Sequence, residues 1–220
     1  MTQQSSFKQR FIDLALASNA LRFGEFTLKS GRVSPYFFNA GAFNSGAALA
    51  VLGECYADAI EAAKIDFDVI FGPAYKGIPL AAVTAAALHQ KYGRDKPYSF
   101  NRKEKKDHGE GGRFVGAPVE GMRMLVVDDV VTAGTAVGEV ATLLDEVGAK
   151  MVAVLVGLDR DERAKDTDQS ALQQLAEKYY VQTASIVSLL DIRDYISNQL
   201  GDKMLISKID EYRKIYGVQS

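Results

Sequence analysis

Apolar residues recur at helical spacing over residues 7–20, where Phe7, Phe11 and Leu14 share one face and Ser5 or Ser6 can cap the start. Gly24 ends that pattern, and Glu25, Phe26, Thr27 and Leu28 read as a short strand. A turn around Ser30 and Gly31 joins it to a second short strand, which Pro35 confines to an edge or bent position. Phe37 and Phe38 point to opposite faces of that strand, so at least one belongs in the core. Leu49, Leu52, Tyr56 and Ile60 then mark a core-facing helix over 45–64. A strand at 67–71, an alanine-rich helix at 78–92 and a short strand at 97–101 follow. Further on, the pattern predicts strands at 124–127, 151–158 and 181–190, and helices at 136–147, 167–180, 191–199 and 203–216. Strands that alternate with helices predict an α/β fold: an open, mostly parallel sheet flanked by helices, with any site at the carboxyl ends of the strands. No repeat or low-complexity linker divides residues 1–220, so a single domain is expected.

Composition narrows the function classes. With 47% hydrophobic and 25% charged residues the chain has the make-up of an ordinary soluble globular protein. A formal net charge of −2 gives no reason to expect nucleic acid as a partner. Cys55 stands alone and cannot form an intrachain disulfide, which suits a reducing cytoplasm; its helical setting marks it as a packed residue. Neither a signal peptide nor a membrane span is expected.

The chemistry concentrates at 124–137, MLVVDDVVTAGTAV. A buried strand is followed by Asp128 and Asp129, by Val130 and Val131, and by a small turn of Thr132, Ala133, Gly134 and Thr135, before Ala136 opens a helix. Backbone N–H groups of a tight loop at a helix N-terminus point at an anion, and the helix dipole favours negative charge there. Gly134 allows close approach, the threonine hydroxyls add donors, and the two carboxylates can accept bonds from sugar hydroxyls. A strand-to-helix turn with capping acids is the plainer reading of an isolated acid pair. The stretch is neither a G-x-x-x-x-G-K-[ST] loop nor a G-x-G-x-x-G fingerprint.

Three other segments carry candidate groups. Gly72 to Gly77 bends at the end of a strand and presents Tyr75 and Lys76, a composition suited to a diphosphate. The tract 102–116 is basic, rich in glycine and short of large apolar residues, so it is expected to be a mobile loop. As a lid its Arg102, Lys103, Lys106 and His108 would close over a multiply charged anion, with Gly109, Gly111 and Gly112 as hinge; a solvated charged loop is the alternative. Arg160 ends a strand and can grip a carboxylate with two bonds, or pair with Asp161 or Glu162.

Taken together, these segments resemble the type I phosphoribosyltransferases, and the orotate phosphoribosyltransferases among them. The acid pair with T-A-G-T is similar to that family's motif for phosphoribosyl diphosphate (PRPP). K-S-G-R-x-S-P-Y-F-F-N and R-K-x-x-K-x-H-G-E-G-G resemble segments of the orotate enzymes in particular. The resemblance implies that Asp128 and Asp129 hold the ribose hydroxyls and that the loop of Thr132, Ala133, Gly134 and Thr135 holds the 5-phosphate, with Val130, Val131 and Ala136 also in the PRPP site. It assigns Lys29, Tyr75, Lys76, Arg102, Lys103, Lys106 and His108 to the diphosphate end, with Lys103, Lys106, His108 and the two acids as the catalytic set. Phe37, Phe38, Thr132 and Arg160 would face orotate. It further implies Mg²⁺ bound mainly through the diphosphate with no protein metal site, a homodimer whose lids reach the neighbouring subunit, and a small hood from residues 1–41. A phosphoribosyltransferase for another base and a PRPP-sensing regulator on the same fold remain the rival readings.

Overall fold

The computed structural model describes residues 6–28, 31–106, 112–131, 134–164 and 167–218. It opens with α1 (Phe7–Ala17), capped by the Ser6 hydroxyl, which accepts from the Gln9 amide. The helix stops well short of Gly24, because Asn19 turns into the left-handed region at φ 54° and Leu21 starts a strand. Gly24 falls inside that strand, β1 (Leu21–Thr27), where its φ of 156° accompanies an irregularity in pairing between Phe23 and Phe26. β1 pairs antiparallel with β2 (Val33–Phe38), and the two form a sheet of their own. Pro35 is tolerated because that sheet has only edges.

The main sheet comprises β3 (Val69–Gly72), β4 (Tyr98–Lys106), β5 (Gly112–Gly116), β6 (Arg123–Val130), β7 (Lys150–Asp159) and β8 (Gln182–Ser188), in the order β5-β4-β3-β6-β7-β8. All neighbours are parallel except β4 and β5. β6 alternates its apolar residues between two cores. Leu125 and Val127 pack on the face covered by α1, α2 (Gly46–Ala62) and α3 (Gly77–Tyr92). Met124 and Val126 pack on the face covered by α4 (Thr135–Asp145) and α5 (Ala171–Tyr179). All four are fully buried, each worth about 1.5–3 kcal/mol on the usual scale of transfer from water. α6 (Leu189–Tyr195), a π turn (Ile196–Leu200) and α7 (Lys203–Tyr216) complete the chain, and α7 reaches back to β2, where Tyr212 meets Tyr36 edge-on at 6.2 Å.

The basic tract departs from its expected form. Instead of a loop throughout 102–116, β4 continues to Lys106 and returns as β5, so the described flanks are a hairpin. Apolar residues at the far end of the tract make this possible. Phe114 stacks edge-on against Phe71 at 6.0 Å, and Val115 pairs with Phe100. Residues 107–111, with His108, Gly109 and Gly111 among them, lie outside the described residues.

Candidate active site

The acids sit within β6 rather than beyond its end, since Asp128 pairs with Val156 and Val130 with Leu158 of β7. Backbone and side-chain bonds fix them. Asp128 Oδ1 accepts from the Asp129 amide at 2.8 Å, and Asp129 Oδ1 from the Val130 amide at 3.0 Å. From α2, the buried Tyr56 hydroxyl donates to the Asp128 carbonyl at 2.7 Å. Burial, and secondly the charge of Asp129, push the Asp128 carboxyl well up from the ordinary range. Gly134 turns left-handed at φ 68° and stands as the cap of α4, placing Thr135 and Ala136 in the helix's first turn. Thr132 and Ala133 lie outside the described residues.

The turn after β3 crosses this strand end. A Cβ on Gly72 would lie 2.1 Å from the Gly77 carbonyl oxygen, so the turn closes only with glycine there. The Ala74 amide donates to Asn101 Oδ1 at 3.0 Å. Lys76 Nζ, 59% exposed, reaches Asp129 Oδ2 at 2.8 Å.

Between the two sheets opens a cleft of about 850 Å³, lined by Phe37 and Phe38 from β2, by Lys76, by Asp129, Val130 and Val131, and by Asp159 and Arg160 at the end of β7. Phe38 packs on Phe11 at 6.1 Å and on Phe43 at 6.2 Å, while Phe37 stacks on Phe26 at 5.5 Å under the Arg22 guanidinium. Both phenylalanines are therefore held by packing and still border the cleft. Arg160 lies over the Tyr36 ring at 5.1 Å and donates from Nε to Glu162 Oε1 at 2.7 Å. Burial opposes the arginine's charge, but Tyr36 and Glu162 outweigh it and hold its pKa above the ordinary value. The cleft position and the ion pair with Glu162 thus coexist. Burial also lifts the Asp159 carboxyl to about 6.

Arg102 and Lys103 line a different cleft of about 550 Å³, with Pro73, Ala74 and Ala136. Lys103 Nζ stands 5.0 Å from the centre of the exposed Tyr75 ring, and Arg102 Nη1 donates to the Gly112 carbonyl at 3.3 Å. Within this chain Arg102 and Lys103 do not line the cleft of Arg160 and Asp129. Lys106 pairs with Gly112 at the end of β4, but its side chain, like Lys29 and His108, lies outside the described residues.

Several cleft residues were not singled out by sequence. Arg32, Asp159 and Arg163 border the cleft, Asn101 braces the turn after β3, and Tyr56 and Tyr212 support it from behind. Glu162 was named only as a partner that Arg160 could take. Of these, Asp159, Glu162 and Arg163 have a signal, since they surround an arginine at the carboxyl end of a predicted strand; Arg32, Asn101, Tyr56 and Tyr212 reach the site from other segments.

Residues 43–186 match the family described as the phosphoribosyl transferase domain. The orotate phosphoribosyltransferase of Cellvibrio japonicus is 55% identical over 213 residues, covering 97% of this chain and 98% of that protein. The one from Saccharophagus degradans is 53% identical over 214 residues, covering 97% and 99%. The crystal structure of orotate phosphoribosyltransferase from Francisella tularensis matches with a TM-score of 0.86 and 45% identity, covering 94% of this chain and 98% of that one. A mostly parallel sheet with acids at the end of β6, together with near full-length identity above one half, puts the matter plainly: this chain belongs to the orotate phosphoribosyltransferases.

Proposed function

We propose that this chain transfers the 5-phosphoribosyl group from PRPP to a ring nitrogen of orotate, giving orotidine 5-monophosphate and diphosphate, a step that leads to UMP. One observation carries this: a single cleft gathers Asp129, Val130 and Val131 with Arg160, Phe37 and Phe38. The bond from the anomeric carbon to the diphosphate oxygen breaks while the bond to the ring nitrogen forms, through a transition state with oxocarbenium character. Orotate is already anionic, so no strong base is required. Asp128 and Asp129 orient the ribose and favour positive charge at the anomeric carbon. The loop over 130–136 holds the 5-phosphate, and Lys76 exchanges Asp129 for the diphosphate. Phe37 and Phe38 shape the slot for the ring, and Arg160 receives the carboxylate.

Mg²⁺ fits this site as a passenger on the diphosphate. Asp128 and Asp129 are hard oxygen donors, yet Asp129 is engaged by Lys76 and by the Val130 amide. Among the described residues no group of three or more His, Cys, Asp or Glu side chains is arranged to hold an ion. When bound, the ion would offset charge on the departing diphosphate.

The separate positions of Arg102 and Lys103 support a homodimer in which Lys29 and Lys76 act in one subunit's site while Lys103, Lys106 and His108 come from its neighbour. Mixing Lys103→Ala protein with Asp129→Asn protein should then restore activity, and no rescue after proven subunit exchange would sink the shared site. The single, buried Cys55 suits a reducing cytoplasm, and no described helix is long and apolar enough to cross a membrane. The hairpin of β1 and β2 is the proposed hood within a single domain. The deciding assay supplies PRPP and Mg²⁺ with orotate, uracil or a purine base and follows nucleotide formation. Product from orotate alone is expected; product from another base, or none from orotate, would overturn the reading.

A further inference from the structure

Arg160 is gripped more firmly than a lone substrate ligand requires. Its guanidinium rests on the Tyr36 ring at 5.1 Å, its Nε donates to Glu162 Oε1, and its Nη2 lies 2.7 Å from the same oxygen. That Nη2 is buried and has no well-directed acceptor of its own. Glu162 in turn gathers two more groups. The Tyr212 hydroxyl of α7 donates to Oε1 at 2.7 Å, and Arg32 Nη1 donates to Oε2 at 3.0 Å. Arg32 is itself braced, with Nη2 donating to the Arg163 carbonyl at 3.2 Å and the guanidinium over the Tyr216 ring at 5.0 Å.

Charge counting sharpens the point. Arg160 and Glu162 alone are a neutral pair, each with a side chain only 15% exposed, so solvent screens them little. A carboxylate arriving at Arg160 would also meet the negative charge of Glu162. Arg32 adds a second cation on the far oxygen, and the trio is left with one net positive charge facing the cleft.

We propose that Glu162 is a positioning residue that fixes the plane of Arg160, and that Arg32 supplies the surplus charge which makes the base site select an anionic pyrimidine. This rests on the reading of Arg160 as the receptor of the orotate carboxylate. Glu162 occupies the Nε edge of the guanidinium, which prevents the side chain from swinging and directs its remaining donors toward the ligand. The cluster also joins three distant segments, the hairpin, the end of β7 and α7, at the base end of the cleft.

Steady-state kinetics on the full-length chain test this, with orotate and PRPP varied separately. Glu162→Ala should raise the KM for orotate about tenfold and leave that for PRPP unchanged, the size of one lost charge-assisted bond. Glu162→Gln, which keeps an acceptor for Nε, should recover most of the loss. Arg32→Gln should also raise the orotate KM, and should cost less in a Glu162→Gln background, where no negative charge is left to offset. Tighter orotate binding in Glu162→Ala would make Glu162 a competitor and overturn the proposal, as would equal losses for both substrates or additive effects in the double variant. Arg160→Ala is the control. If it fails to weaken orotate selectively, the reading of Arg160 itself is wrong; if it succeeds while Glu162→Ala does nothing, only the positioning role falls.

Discussion

The wall of the cleft made by β6 comes from one run of sequence, whereas a second wall takes Phe37 and Phe38 from β2, Arg32 from the turn before it, and Arg160 and Glu162 from the residues after β7, with Tyr212 of α7 behind them. The first wall is held by pairing with β7 and by amide-to-carboxylate bonds between neighbours. The second depends on ion pairs and ring contacts among distant side chains. A strand end braced in this way suits chemistry that must be repeated without variation. A wall assembled from side chains can change its ligand without disturbing the sheet. Substitutions on the two sides should therefore fail differently, one in turnover and the other in choice of base.

The largest effect belongs to the β6 wall. Replacing Asp128 and Asp129 together with asparagine should preserve the fold, since the amide oxygens can still accept the neighbouring N–H bonds. Turnover should collapse, because loss of one preorganised electrostatic contact costs on the order of 3 kcal/mol, more than a hundredfold in rate. Circular dichroism with steady-state kinetics checks both halves of the statement. A folded variant with near-normal kcat would remove the acids from the reaction.

On the second wall the expected loss is smaller and selective. Arg160→Ala should weaken orotate by about 1.5–3 kcal/mol, roughly ten- to a hundredfold, with PRPP affinity unchanged. Arg160→Lys should recover little, because an ammonium lacks the planar fork and would not reproduce the stack on Tyr36. Calorimetric titration of each substrate measures this directly. Parallel losses for both would place Arg160 in the framework and erase the contrast between the walls.

The same contrast explains what the sequence made legible. The β6 wall is legible because its pattern is local: apolar strand, acids, small turn and helix follow one another in a single run of sequence. Among the helices α7 matches its expected bounds, while α5 begins only at Ala171, where the Ser170 hydroxyl caps it. Strand alternation in the sheet was equally plain. The basic tract was misjudged because composition was averaged over its whole length, which hid Phe114 and Val115, the residues that pair it back onto β4. The first helix stops before Gly24 because Asn19 turns left-handed first, a turn that its apolar pattern does not show. On the second wall Arg160 is legible from its place at a strand's end, and Phe37 and Phe38 only through resemblance. Arg32 and Tyr212 lie 130 and 50 residues from Glu162, a separation no local pattern spans.

Protonation offers a third way to separate the walls. Asp128 is pushed up to about 7 by burial and then by Asp129, above the value near 4 of an unfolded aspartate. Between those values the folded state holds the proton more tightly, so this group's contribution to stability falls as pH rises and its penalty is complete above about 7. Asp128→Asn removes that penalty. The free variant should therefore gain stability over the wild type as pH rises from 5 to 8, by on the order of 1–2 kcal/mol once screening is allowed for. Thermal melts at the two pH values test it. A difference independent of pH would mean the strain at this strand end is not electrostatic.

The smallest effect concerns the brace behind the β6 wall. Tyr56 lies fully buried on α2 and its hydroxyl donates to the Asp128 carbonyl. Tyr56→Phe leaves that carbonyl without its side-chain donor, at a cost of about 1 kcal/mol. If the brace serves the acids, kcat should fall a few-fold with orotate KM unchanged, the signature of this wall and not of the other. Gly157 of β7 provides an internal check on the same contact. A Cβ there would meet the Tyr56 hydroxyl at 3.1 Å, the Asp129 carbonyl at 3.2 Å and the Phe11 ring at 3.3 Å. Gly157→Ala must therefore push on the hydroxyl, and in a Tyr56→Phe background one of its three obstacles is gone. The two changes should cost less together than the sum of their separate losses, because they share that contact. Strict additivity in melting and in kcat would show that Tyr56 and β7 do not press on each other, and the placement of the acids would then rest on the strand ladder alone.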